Sequence, residues 1–585
     1  MKVMLFFPPN WTPTMPHLAL PTLTAFLRQA GVEVVQRDLN AEVFAHVLTR
    51  AYLRGSLEKL RRRAAAPRAL QTPSAPAERV QWALQEGPRL IAEVEGAVRV
   101  MRGPLFFDGP KGRRAFQTVA ESLELASLPY YPADLHLQSY QAAVPVDESR
   151  ALLRGVRDPH TNMFLEIYRD LALEEIRREQ PDVVGISIPS MPQMLPGMTL
   201  AYLVKEAGLR CHVTVGGPHI SMLREALMAT PAVFDLIDSA VAFDGETPLL
   251  ELVKAVSTGG EIAQAPNLIW RDGGQMRMNA RHEREKIANL PLPDFDGLKL
   301  DKYLAPELVL PLTTARGCYF GKCTFCNTGY GEADGFSQLR AEQVVEQMQA
   351  LHARYGVKKI FLSDEAIAPR NLKSLSARLA ELGSPFVWGG CARFEKVVSQ
   401  ELLQGMVAGG CRMILFGLES ASAPIIDRMA KGTQLEHMSR ILRQSAEAGI
   451  WNHTFFFFGF PGETLADAQQ TVNFLYAHKG YIHSAAFGTF LMERYSPAHR
   501  FPELYGVRVI EDPAKDLAIY FDYAVETGLD ERMAELVESR FLDTLPDKPY
   551  PQYYVSDVFR FLYACHLSEQ RLPRPPWLAV ETAAA

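Results

Sequence analysis

Short apolar runs alternate with segments of helical period along most of the chain. Lys2–Phe7 is apolar, Pro21–Gln29 repeats its apolar positions at helical spacing, and Val32–Asp38 is again apolar and β-branched, which predicts strand, helix, strand. The alternation resumes with a strand at Asp182–Ser187, a helix near Leu200–Ala207, and strands at Cys211–Val215 and Leu236–Val241. These last two strands run out at Gly216-Gly217 and at Asp244-Gly245-Glu246. Five strands with crossover helices predict an α/β unit with a doubly wound, Rossmann-like parallel sheet, whose ligands bind at the carboxyl ends of the strands. The long insertion 41–180 reads as mostly helical, with one flexible Ala/Pro-rich stretch at Ala64–Ala77. Its Arg61-Arg62-Arg63 run reads as a solvated helix face.

Pro291–Asp296 breaks all periodicity and reads as a linker. Beyond it six units each pair a short β-rich run with a helix, the strands being Leu308–Thr314, Lys359–Leu362, Phe386–Cys391, Arg412–Phe416, Asn452–Phe458 and Ser484–Leu491. Six such units predict a partial (β/α)6 TIM barrel with its chemistry on the loops that follow the strands. After Pro497 the chain becomes helical and aromatic, which fits either a cap over the barrel mouth or an ordinary packed tail. The expected domains are therefore 1–290, 291–500 and a helical 501–585.

The 585 residues, 48% apolar and 22% charged, are ordinary globular material for several domains and exclude disorder of the whole chain. With 61 Lys+Arg against 67 Asp+Glu, no basic excess exists to neutralise a phosphate backbone, so nucleic acid is not an expected ligand. No apolar run approaches the ~18 residues of a membrane span. The short N-terminal apolar stretch ends at Pro8-Pro9 without a cleavage site, so a cytoplasmic protein is expected.

Seven cysteines are too few for a disulfide framework, and three of them fall within nine positions. Arg316-Gly317-Cys318-Tyr319-Phe320-Gly321-Lys322-Cys323-Thr324-Phe325-Cys326 spaces its thiols C-x4-C-x2-C on a glycine-containing loop after the first barrel strand. Three thiolates this close can share a metal centre. Zinc would want a fourth protein ligand, whereas an iron-sulfur cluster on three cysteines leaves one iron open. Structural or zinc-bound thiols are the other reading of the same spacing. Cys211, Cys391, Cys411 and Cys565 read as buried thiols.

With these residues in place, the sequence resembles the radical SAM superfamily, in the branch with an N-terminal cobalamin-binding domain. The usual spacing is one residue shorter between the first two cysteines, and R-G-C-x4-C-x-F-C looks like a variant of the cobalamin branch. The resemblance implies that Cys318, Cys323 and Cys326 hold three irons of a [4Fe-4S] cluster while the amino and carboxylate groups of S-adenosylmethionine (SAM) chelate the fourth. It implies further SAM contacts at Phe325 by the adenine, at Asp364 and Glu365 in the place of a glycine-glycine-glutamate motif, and at Arg393 as partner of the methionyl carboxylate. Glu419 and Ser420 match the ribose-binding region, and Gly459 and Gly462 the adenine-side glycine motif.

For the N-terminal unit the resemblance implies cobalamin contacts at Trp11, Thr12, Ser187, Ser190, Gly216, Gly217, Pro218, His219, Gly245 and Glu246, where small residues let the chain approach a ligand closely. No D-x-H-x-x-G motif is present, so a histidine below cobalt is not expected. His219 reads as a loop residue near the cofactor. The implied activity is reductive SAM cleavage to a 5′-deoxyadenosyl radical, followed by methyl transfer from methylcobalamin to an unactivated carbon of a natural-product or peptide substrate. A flavodoxin- or ferredoxin-like protein would be the one-electron reductant. The alternatives are radical ring contraction, cyclisation or oxidation without methyl donation, and a cofactor-binding sensor without turnover.

Overall fold

The computed structural model describes residues 1–65, 75–331, 335–572 and 575. The middle of the expected flexible stretch Ala64–Ala77 lies outside the described residues. The chain divides into two units, one of residues 1–285, 290–308 and 512–518, the other of 286–289, 309–511 and 519–585.

The first unit is built on a seven-stranded sheet. Its strands are β1 (Lys2–Phe7), β2 (Glu33–Asp38), β3 (Val183–Ser187), β4 (His212–Gly216), β5 (Ser239–Val241), β6 (Leu268–Asp272) and β7 (Gln275–Met278), in the order β2-β1-β3-β4-β5-β6-β7. The first five are parallel, with Val3 opposite both Val34 and Val183. After Lys2 every residue of β1 is buried, as a strand covered on both faces requires. The order of β2, β1 and β3 reverses the winding at β1, so the crevice lies between the carboxyl ends of β1 and β3. The expected sheet of five strands is thus incomplete: β6 and β7 add an antiparallel hairpin, turned at Gly273-Gly274, both at positive φ.

Helices Leu39–Val47, Arg50–Ala65, Ala77–Met101 and Gly109–Ser127 fill much of the insertion between β2 and β3. Residues 291–308 group with this unit instead of forming a free linker. Arg28 pairs with Asp294 at 2.8 Å and Gln36 donates to the Asp294 carbonyl at 2.7 Å.

The second unit holds six parallel strands in sequential order: β8 (Val309–Leu312), β9 (Lys359–Leu362), β10 (Val387–Ala392), β11 (Cys411–Glu419), β12 (Trp451–Phe458) and β13 (Ser484–Thr489). Crossover helices cover one face; Asn452 on β12, for instance, donates to the Leu442 carbonyl of helix Leu435–Ala448 at 2.8 Å.

The C-terminal segment departs from the all-helical expectation. Strands β14 (Met492–Glu493), β15 (Val507–Ile510) and β16 (Tyr520–Val525) form an antiparallel sheet in the order β14-β16-β15, and along Val507–Ile510 more and less buried residues alternate with a strand's period of two. Residues 512–518 group with the first unit, where Ser149 donates through its amide and hydroxyl to Asp516 at 2.7 and 2.5 Å. The last helix, Asp557–Glu569, lies on the inner face of the barrel strands. Phe561 meets Phe361 of β9 at a ring separation of 6.0 Å, Tyr563 meets Trp451 of β12 at 5.8 Å, and Glu569 pairs with Lys359 at 3.4 Å. These partners belong to the strand face opposite the crossover helices, so the helix fills the barrel lumen rather than covering its mouth.

Candidate functional site

In the second unit the three clustered cysteines lie on the loop after β8, and all are free and partly accessible. The loop is held at its start and within the cysteine cluster. At its entrance the buried Asp364, just past β9, accepts from the amides of Thr314 and Ala315 at 2.8 and 2.6 Å and from the Thr314 hydroxyl at 3.0 Å. Between Cys323 and Cys326, Thr324 donates its amide to the Met429 carbonyl at 3.0 Å and accepts from the Ala498 amide at 2.9 Å. Asp364 therefore anchors the loop backbone, while its neighbour Glu365 is exposed at the strand end, as alternation of side-chain direction dictates.

Two cations flank Cys323. Arg393 Nη1 lies 3.7 Å from its sulfur, and Lys431 is paired with Glu419 at 2.7 Å, both largely buried. Burial raises the Cys323 thiol above its ordinary value, and these two cations act in the opposite direction. Burial pushes the Cys326 thiol up to about 11, against the Thr328 hydroxyl 3.1 Å from its sulfur. A thiolate here calls for compensating positive charge, which is what a metal centre brings.

The other expected SAM residues are dispersed around this loop. Phe325 packs edge-on against Phe457 of β12 at 5.4 Å. Glu419 ends β11 at φ +64° and holds Lys431. Ser420 is fully buried and turned outward to Thr471 of helix Leu465–Ala477, 3.3 Å away. Gly459 and Gly462 both have positive φ, and the turn they form closes on protein: a Cβ on Gly459 would stand 2.5 Å from Ala534 Cβ, and one on Gly462 3.0 Å from Arg428 Nε. Sequence reasoning missed Lys431, Glu395 and Glu493. Burial pushes the Glu493 carboxyl to about 7, opposed by a hydrogen bond from Asn327, the residue after Cys326.

In the first unit the expected cobalamin residues lie at the carboxyl ends of β1, β3, β4 and β5. Trp11 and Thr12 follow β1, the Trp11 amide donating to Asn40 Oδ1 at 3.0 Å. Ser187 ends β3 in register with Gly216 of β4, and Ser190 Oγ donates to Gln193 at 2.9 Å. Gly217 has φ +109°, and a Cβ there would stand 3.0–3.2 Å from the Ile188 backbone, so only glycine lets the two strand-end loops meet this closely.

Pro218 opens the short helix Pro218–Met222. His219 sits in that helix and is buried, not displayed on a loop as the sequence suggested, and burial lowers its pKa to about 4. Gly245 precedes helix Glu246–Thr258, in which Glu246 is buried. Two buried polar atoms, Asn10 Oδ1 and His219 Nδ1, have no partner among the described residues. Such orphan atoms suit a ligand that brings amide groups, which both donate and accept.

His17 was also missed, although Trp11 nearby was not. Its ring stacks on Phe7 at 4.8 Å and meets Trp11 edge-on at 5.4 Å. Its Nδ1 accepts from the Ala19 amide at 3.2 Å, so Nε2 carries the hydrogen and offers a donor, not a metal lone pair.

Residues 312–475 match the model of the radical SAM superfamily. Among curated proteins the chain is 28% identical over 328 residues to an uncharacterized methyltransferase of Pyrococcus horikoshii, covering 54% of this chain and 70% of that one. It is 23% identical over 400 residues to the cytidylyl-2-hydroxyethylphosphonate methyltransferase of Streptomyces wedmorensis, covering 60% and 71%. Among solved structures it shares the fold of the radical S-adenosylmethionine methyltransferase TsrM from Kitasatospora setae, determined with cobalamin and a [4Fe-4S] cluster bound, with a TM-score of 0.54 at 15% identity over 94% of this chain and 85% of that one.

Residues 312–475 thus form a radical SAM domain, and the chain is an enzyme. The matched residues coincide with the barrel of the second unit, while the first unit carries the doubly wound sheet. Among the described residues no three His, Cys, Asp or Glu side chains converge to chelate a single ion. Cysteines of a [4Fe-4S] cluster each take a different iron and need only share a loop. Nor is any helix among the described residues long and apolar enough to cross a membrane.

Proposed function

We propose that the protein is a cobalamin-dependent radical SAM methyltransferase acting on an unactivated carbon of a small-molecule or peptide substrate. The observation that carries this reading is the loop after β8, where Cys318, Cys323 and Cys326 lie together and Cys323 sits beside the buried cations Arg393 and Lys431, within a radical SAM domain. When bound, the cluster supplies the electron that cleaves SAM to methionine and a 5′-deoxyadenosyl radical, and cobalamin supplies a transferable methyl group.

The chain's own residues bind and orient. The three cysteines hold the cluster, and Asp364 fixes the backbone on which they sit. Glu365, exposed at the end of β9, takes the methionyl ammonium through a charge-assisted hydrogen bond. The Phe325–Phe457 pair gives the adenine an apolar wall. The lumen helix Asp557–Glu569, with Phe561 fully buried, closes the barrel below the site against water. In the first unit the loops after β1, β3 and β4 bracket the switch point of the sheet, where cobalamin binds against Asn10, Ser187 and Gly217. A flavodoxin- or ferredoxin-like protein delivers the electron.

Product analysis with methyl-deuterated SAM and the native substrate tests the reaction. Methyl transfer to carbon predicts deuterium in the product together with both S-adenosylhomocysteine and 5′-deoxyadenosine. A product formed with 5′-deoxyadenosine but with neither label nor S-adenosylhomocysteine would replace methylation by ring contraction, cyclisation or oxidation.

A further inference from the structure

Arg393 stands one residue past β10, and its guanidinium is committed on several sides. Nε donates to Glu395 Oε1 at 3.0 Å, Nη2 donates to the Lys431 carbonyl, and Nη1 lies 3.7 Å from Cys323 Sγ. The plane rests on the ring of Phe320, with the guanidinium carbon 3.6 Å from the ring centroid. Tyr319 donates its hydroxyl to the same Glu395 oxygen at 3.0 Å. Two consecutive residues of the segment between the first two cysteines therefore dock on the Arg393–Glu395 pair before the chain reaches Cys323. The four-residue spacer thus makes a built contact, in which an aromatic ring and a thiol lie on two sides of one buried guanidinium.

Arginine keeps its charge at any pH the protein meets, and Arg393 is only 5% exposed, so water screens its field weakly. We propose that Arg393 is a positioning residue of the cysteine loop that sets the reduction potential of the cluster through Cys323, rather than a partner of the methionyl carboxylate. The inference rests on the cysteine-held cluster of the proposed function. Reduction adds one electron to a group already carrying thiolate charge, with the electron coming from a low-potential donor and no proton taken up. A fixed cation at one sulfur stabilises the reduced form more than the oxidised one, and Glu395 partly offsets it. Charge and hydrogen bonds at the sulfurs are the levers a protein has on such a potential.

The test is a redox titration of the full-length, anaerobically reconstituted protein without SAM, followed by paramagnetic resonance of the reduced cluster, in wild type, Arg393→Gln and Glu395→Gln. Arg393→Gln keeps a donor and loses the charge. It is expected to lower the reduced-to-oxidised ratio at a fixed poise about tenfold, which is ~59 mV toward negative potential for a one-electron couple. Glu395→Gln keeps the acceptor for Tyr319 and Arg393 and removes the offsetting charge, so it is expected to move the potential the other way. If Arg393→Gln fails to hold iron, the sign of the Glu395→Gln shift decides alone.

Potentials that do not move, or that move in the same direction, with iron content equal to wild type overturn the inference. So does an Arg393→Gln protein of unchanged potential that binds SAM more weakly, since the guanidinium would then belong to the methionyl carboxylate. A wild-type protein that reconstitutes without iron removes the cluster itself, and the inference falls with it. That result is distinct from the others, in which the cluster is present.

Discussion

Asp364 reaches from the end of β9 to the end of β8 and takes both the Thr314 and the Ala315 amides on one carboxylate oxygen. The bond spans fifty residues of sequence and fixes the start of the cysteine loop. Asp364→Ala leaves two buried amides without an acceptor and is expected to cost roughly 2–6 kcal/mol at ~1–3 kcal/mol for each unsatisfied group. Asp364→Asn, which keeps a carbonyl oxygen, should cost less. Denaturant unfolding of the apoprotein and iron content after reconstitution check both effects. Loss of iron in Asp364→Ala without loss of stability would contradict an anchoring role.

Gly217 is the tightest backbone approach at the crevice of the first unit. Gly217→Ala places a Cβ against the Ile188 backbone at a φ that other residues rarely adopt, and strain of this kind costs about 1–3 kcal/mol. The expected outcome is weaker cobalamin binding, read as a higher Kd in an absorbance titration, with iron content at the cysteine loop unchanged.

Glu463 is fully buried behind the Gly459 turn. One oxygen accepts from the Gly459 amide and the other has no partner among the described residues. Burial pushes its carboxyl up to about 7 from an ordinary 4.5. Below pH 4.5 both folded and unfolded chains hold the proton. Between 4.5 and 7 the folded chain keeps a proton that the unfolded chain has lost, so this group's contribution to stability falls as pH rises and is constant above 7. Glu463→Gln removes that loss. The Tm of the variant relative to wild type should rise from pH 5 to pH 8, and a flat difference would contradict the assignment.

The lumen helix is expected to be structural in a way a mouth cap would not be. Phe561 is fully buried against Phe361 and beside Gly389, and Phe561→Ala should destabilise the barrel by about 3–5 kcal/mol. Urea unfolding measures this. A change below ~1 kcal/mol would mean that the helix does not fill the barrel in solution.

Much of this was legible in the sequence because it is local. Lys359–Leu362 is a β-rich run ended by polar residues, and it forms the strand with the same bounds; the other barrel strands differ by a few residues. The C-x4-C-x2-C loop follows the first barrel strand as the spacing suggested. What was not legible depends on partners far along the chain. The backbone role of Asp364 and the Arg393–Phe320 stack join segments ~50 and ~70 residues apart, which no window of sequence contains.

Two misses did leave signals. Gly273-Gly274 between two short β-rich runs is a hairpin turn, and it made the β6–β7 addition readable. The last helix, Asp-Val-Phe-Arg-Phe-Leu-Tyr-Ala-Cys-His-Leu-Ser-Glu, is apolar around most of its circumference, the mark of a helix buried on all sides. His219 was misplaced because a glycine pair before proline reads as an extended loop, whereas Pro218 occupies the first position of a helix, where its missing N–H costs nothing.

The central claim is that Cys318, Cys323 and Cys326 hold a redox-active cluster with an iron open to SAM. The most direct measurement is paramagnetic resonance of the anaerobically reconstituted, reduced protein before and after SAM is added, in wild type and in Cys318→Ala, Cys323→Ala and Cys326→Ala. The account predicts a reduced-cluster signal in wild type that changes when SAM binds, and loss of that signal together with SAM cleavage in each variant. Zinc in place of iron, or an iron-sulfur signal that survives all three substitutions, would contradict it.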